Sequence, residues 1–73
     1  MTASLGTLIR TAREDAGLTR EAMSPHIGVT LRTLARWERN ETENIPMLKM
    51  IDVARVTGKP LSFFLNGDSE VAA

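Results

Sequence analysis

The sequence predicts an all-α fold, a single bundle of five short helices. Three observations lead there. Apolar residues recur at helical spacing in one segment after another. Gly and Asn punctuate those segments at short intervals. No run alternates β-branched and polar residues over the length of a strand. With 73 residues the chain makes one domain, 1–73, with its core over 4–67 and the tail 68–73 expected to fray.

Leu5, Leu8, Ile9, Ala12 and Ala16 line one face of a first helix, with Ser4 as N-cap and Gly17 as the left-handed residue that stops it. Thr19 caps a second helix, with Met23 and Ile27 inward and Gly28 at its end. Pro25 lies inside it, where the ring crowds the Glu21 carbonyl. The sequence leaves open whether Ser24-Pro25 splits this helix by starting a new turn. Thr30 caps a third helix with Leu34 and Trp37 inward, closed by Asn40, which tolerates a positive φ. After a polar loop, Pro46 opens a fourth helix with Met47, Met50, Ile51 and Ala54 inward and Gly58 as the stop. Pro60 opens a fifth helix through Leu65, ended by Asn66-Gly67.

Composition excludes several function classes. Without Cys there are no disulfides and no thiolate metal sites, so a reducing cytoplasm is the expected location. His26 is the lone His, which removes a His-based metal cluster or catalytic dyad. With no Tyr and no glycine-rich phosphate loop either, the chain is not expected to be an enzyme, and no cofactor, metal or small-molecule ligand is implied. The longest apolar runs, such as Phe63-Phe64-Leu65, are three residues, too short for a membrane span. Net charge is zero, but residues 1–39 carry +2 and residues 40–73 carry −2. Phosphate affinity comes from Lys and Arg, so a nucleic-acid surface belongs in the first half.

The informative segment is 19–39. Two short helices meet across a tight turn at Gly28, with the small Ser24 one turn earlier. Met23, Ile27, Val29, Leu34 and Trp37 are its inward residues. The runs Leu18-Thr19-Arg20-Glu21, Ile27-Gly28-Val29-Thr30 and Leu34-Ala35-Arg36-Trp37-Glu38 resemble the helix-turn-helix of the lambdoid phage repressors, Cro proteins and the wider XRE family. Ala12-Arg13, Gly17-Leu18 and the ending Phe64-Leu65-Asn66-Gly67 fit the same pattern, so the resemblance covers about residues 5–67.

The resemblance implies a lambda-repressor-like DNA-binding domain whose third helix enters the major groove of a duplex operator. It puts Leu31, Arg32 and Arg36 on base edges, and Arg20, Thr30, Thr33, Arg39 and Asn40 on the DNA backbone. It also pairs Arg13 with Glu38, whose carboxylate at a helix C-terminus needs a nearby cation. Leu31 stands where the family commonly has a polar reader. It packs either on a thymine methyl or against the partner helix, and the sequence decides neither. Glu41 and Glu43 stand where relatives often offer basic residues. A loop turned away from DNA accommodates them.

Two functions fit. The first is a transcriptional repressor of the phage repressor and Cro type, reading an approximately palindromic operator as a homodimer that forms on DNA. The short chain resembles a minimal regulator more than a two-domain lysogeny repressor. The second is an antitoxin or anti-repressor that turns the same fold on a protein partner. The dimer expectation comes from apolar residues left over. With Leu61, Phe64 and Leu65 inward, Phe63 points outward, and Leu48 lies off the inward face of the fourth helix.

Overall fold

A computed structural model describes residues 4–42 and 44–65. It contains α1 (Leu5–Asp15), α2 (Arg20–His26), α3 (Leu31–Glu38), α4 (Met47–Thr57) and α5 (Leu61–Leu65), with no strand among the described residues. The expected terminator Asn66-Gly67 and the tail 68–73 lie outside them.

The first three helices share one design. Each opens on a hydroxyl N-cap: Ser4 accepts from the Thr7 amide, Thr19 from Ala22 and Thr30 from Thr33. Each closes on a left-handed residue, Gly17, Gly28 or Asn40, with φ of 74°, 69° and 61°. The amide of the next residue then reaches back to the helix: Leu18 to the Arg13 carbonyl, Val29 to Ser24, Glu41 to Arg36. These bonds satisfy carbonyls that a helix end would otherwise orphan. Pro25 does not split α2, which runs unbroken to His26.

Ile9, Ala12, Met23, Ile27, Leu34, Trp37, Met50, Val53, Ala54 and Phe64 form the core. α1 packs on α3, α4 and α5, and α2 packs on α3 and α4. The approach of α1 to the end of α3 is close. The Gly6 amide donates to Asn40 Oδ1 at 2.9 Å, and a Cβ at Gly6 would collide with the Trp37 carbonyl and that same Asn40 side chain.

Four expectations need correction. The buried face of α4 is Met50, Val53, Ala54 and Thr57, while Met47 and Ile51 are exposed. Two apolar stripes run along this helix, and α1 and α5 cover the one containing Val53. Thr57 is tolerated there because its hydroxyl donates to the Val53 carbonyl at 2.7 Å. Ala16 is exposed, since α1 has already turned its stripe away at its last turn. Leu65 is 51% exposed and does not reach the core. Phe63 is not a bare outward ring. It is half-buried against the core, edge-on to Phe64 with centroids 5.1 Å apart, and Lys59 Nζ lies 5.2 Å from its centroid.

Candidate nucleic-acid interface

α3 owes its two faces to sequence spacing. Leu34, Trp37 and Glu38 are buried, and Leu31, Arg32 and Arg36 are exposed on the opposite side. Arg32 and Arg36 are one turn apart, so their guanidinium groups extend from adjacent rungs of the same face. Neither is in an ion pair among the described residues. Leu31 is 42% exposed at the first turn of the helix. An edge with two unpaired guanidinium groups suits the acceptor pair of guanine in a major groove.

The residues expected on the backbone lie around this helix, and most have protein partners. Thr30 and Thr33 share a hydroxyl–hydroxyl contact of 3.0 Å, and Thr30 also caps the helix. Asn40 holds the start of α1 through Gly6. Arg39 is exposed and forks onto Glu41, Nε to Oε2 at 3.0 Å and Nη2 to Oε1 at 3.2 Å. That hydrogen bond raises the Arg39 value and holds the Glu41 carboxyl below the usual carboxylate range. The acidic loop residue thus turns to the arginine beside it; Glu43 lies outside the described residues.

Behind α3 sits an ionic knot. Arg13 Nε donates to Glu38 Oε2 at 2.7 Å, its Nη2 to Oε1 at 3.1 Å, and its Nη1 to the Leu18 carbonyl at 2.8 Å. Arg20 Nε donates to the same Glu38 Oε1 at 3.0 Å. The Glu38 side chain is only 1% exposed, whereas that of Arg20 is 39% exposed. The Glu38 hydrogen bond is the main reason that Arg13 is held even more firmly in its charged form. One carboxylate therefore ties α1, the start of α2 and the end of α3 together.

Sequence reasoning missed Lys49. Its Nζ donates to the Ile27 carbonyl at 2.9 Å, so α4 closes the C-terminus of α2. A Cβ at Gly28 would come within 2.9 Å of that ammonium, a contact the flexible lysine can relieve, so the positive φ is what calls for glycine there. A cation three residues after Pro46 was a visible signal, since helix C-termini attract positive charge. Nothing in the sequence said which C-terminus it would find. Of the dimer candidates, Leu48 is 75% exposed on α4 beside exposed Met47 and Ile51, while Phe63 is half-buried on α5.

A helix-turn-helix family model matches residues 9–64. Among solved structures, the DNA-binding domain of the P22 C2 repressor superposes with a TM-score of 0.81 at 25% identity, covering 93% of this chain and 88% of that one. The clp gene regulator ClgR from C. glutamicum is similar at a TM-score of 0.77 and 25% identity, over 94% and 88% of the two chains. SinR, a master regulator for biofilm formation solved in complex with DNA, shares the fold at a TM-score of 0.77 and 23% identity, over 84% and 97%. No curated protein sequence matches the chain.

Proposed function

The chain belongs to the helix-turn-helix family, and on that premise we propose that it is a sequence-specific duplex-DNA-binding transcriptional repressor of the phage repressor and Cro type. The carrying observation is the exposed face of α3. Arg32 and Arg36 stand unpaired, one turn apart, on a helix whose other face is locked into the core. Leu31 offers an apolar contact beside them, suited to a thymine methyl. Arg20, Thr30, Thr33, Arg39 and Asn40 flank this face and supply backbone contacts that set its register.

The working unit is a homodimer assembled on an approximately palindromic operator. One α3 reads only a few base pairs, and a chain of zero net charge adds little general affinity. Two copies related by a two-fold axis place two such helices about 34–36 Å apart in successive major grooves. The exposed Leu48, with Met47 and Ile51, and the partly covered Phe63 supply apolar surface for the pairing.

Selection of bound duplexes from a random pool, then footprinting across a salt series, tests the reading. The expected result is an inverted-repeat site and an affinity that falls steeply with salt. Absence of any selected duplex would overturn it and leave the antitoxin or anti-repressor function standing. A one-to-one complex on an asymmetric site, unaffected by Phe63→Ala and Leu48→Ala, would overturn the dimer alone.

A further inference from the structure

Leu31 contributes little to the fold. It is 42% exposed, it lies outside the set of side chains packed on the core, and it opens a helix whose outward residues include Arg32 and Arg36. The residues around it offer no hydrogen bond to a base that it would meet. Thr30, just before it, commits its hydroxyl to the helix, accepting from the Thr33 amide at 3.1 Å and lying 3.0 Å from the Thr33 hydroxyl. Ala35, next along the same stripe, has no polar side-chain atom. Arg32 leaves the helix about 100° further round its axis. The apolar contact at the first turn of α3 therefore stands alone.

We infer that Leu31 reads the C5 methyl of a pyrimidine and not the base that carries it, so that the protein takes thymine and 5-methylcytosine alike at that position of its operator. This rests on the DNA-binding reading above and deepens the contact given there to Leu31. Both bases hold the methyl on the same ring carbon, facing the major groove. They differ in the group beside it, a carbonyl acceptor in thymine and an amino donor in cytosine. Telling these apart takes a side-chain donor or acceptor, and leucine has neither. Uracil and unmodified cytosine keep those groups but lose the methyl, which leaves Leu31 against a gap with no partner atoms. A site with cytosine at this position is therefore bound more tightly once that cytosine is methylated at C5. Cytosine methylation becomes a control on the operator, set by one apolar side chain.

The test is a methyl scan. In one half-site of the selected operator, each thymine is replaced in turn by uracil, and each thymine–adenine pair by cytosine–guanine and by 5-methylcytosine–guanine. At one position, thymine should bind about fourfold tighter than uracil, and 5-methylcytosine about fourfold tighter than cytosine, the scale of one buried methyl. Leu31→Ala should bring both ratios to about one, with the thermal melt of wild type, because the side chain lies outside the core. Leu31→Gln, which adds a donor and an acceptor, should separate thymine from 5-methylcytosine where wild type binds them equally. Absence of any position with both ratios, or ratios that survive both substitutions, would overturn the inference and leave the DNA-binding reading intact. A methyl effect on thymine without one on cytosine would also overturn it, since the neighbouring group would then be read as well. A wild type that binds no duplex at all would defeat both.

Discussion

Arg13 and Arg39 make the same bond in opposite surroundings. Each forks onto one carboxylate through Nε and Nη2, Arg13 at 2.7 and 3.1 Å and Arg39 at 3.0 and 3.2 Å. The partner of the first is interior, and the partner of the second is bathed in water. Geometry alone would rank them as equals. Burial separates them, because a charge taken out of water has no substitute partner when its counterion is removed. In solvent, water or any passing anion replaces the lost carboxylate. The inner fork is therefore part of the architecture, and the outer one is an exchangeable contact on the surface proposed to meet phosphate.

The most severe way to break that contrast is Glu38→Gln. It leaves the Arg13 guanidinium buried with only the exposed Glu14 carboxylate, 3.9 Å away, as counterion, and an expected loss of about 3–5 kcal/mol would consume much of the stability of a small domain. A thermal or urea melt reads it, and a loss below about 1 kcal/mol would mean that the pair is not buried in the energetic sense. Gly6→Ala should come next, at about 1–3 kcal/mol, because the obstacles to its methyl are a main-chain carbonyl and the Asn40 cap. Wild-type stability in this variant would show that α1 can shift outward freely.

Arg36→Ala should leave the melt unchanged and cost about 1–3 kcal/mol of DNA binding at its own base pair, with relaxed preference there. Equal losses on operator and random duplex would reassign Arg36 to the backbone. The mildest test is Glu41→Gln. It should barely move the melting curve, yet bind operator and random duplex more tightly by the same factor. The salt slope should steepen by about 0.9, one further phosphate contact, as Arg39 is released. An unchanged slope would mean that Arg39 faces away from DNA.

The outer pair also has a pH signature. Hydrogen bonding to Arg39 depresses the Glu41 carboxyl, so its contribution is complete above the ordinary carboxylate value of 4.5 and fades as pH falls through the lowered one. A carboxyl-detected titration should find the Glu41 midpoint below 4.5 in wild type and returned toward it in Arg39→Gln. A midpoint unmoved by that change would deny the pairing.

The sequence made the frame of α1 to α3 readable because the signals there are local. A hydroxyl three residues before an amide, or a Gly after the last apolar position, is visible in a short window. The register of α4 was not readable, since Met47 and Ile51 fit a helical stripe as well as Val53 and Thr57 do. Only the helices packed against it, α1, α2 and α5, decide between the stripes. The same limit hid Lys49 and the Arg20–Glu38 bond, whose partners are 22 and 18 residues apart. Arg13 and Glu38 were paired in advance through resemblance to a family, with no periodicity to suggest it.

The three left-handed terminators bear on how fast the chain finds its shape. Each closes with hydrogen bonds that span at most five residues, so the ends of α1, α2 and α3 can form before any distant segment arrives. Loop-closure entropy is spent in small instalments, and the long-range search reduces to docking preformed pieces and seating Glu38 between two guanidinium groups. Helical domains dominated by such local contacts fold in microseconds to milliseconds. The slowest step should then be the desolvation of that knot, because the buried Glu38 carboxylate gains nothing until Arg13 is in place.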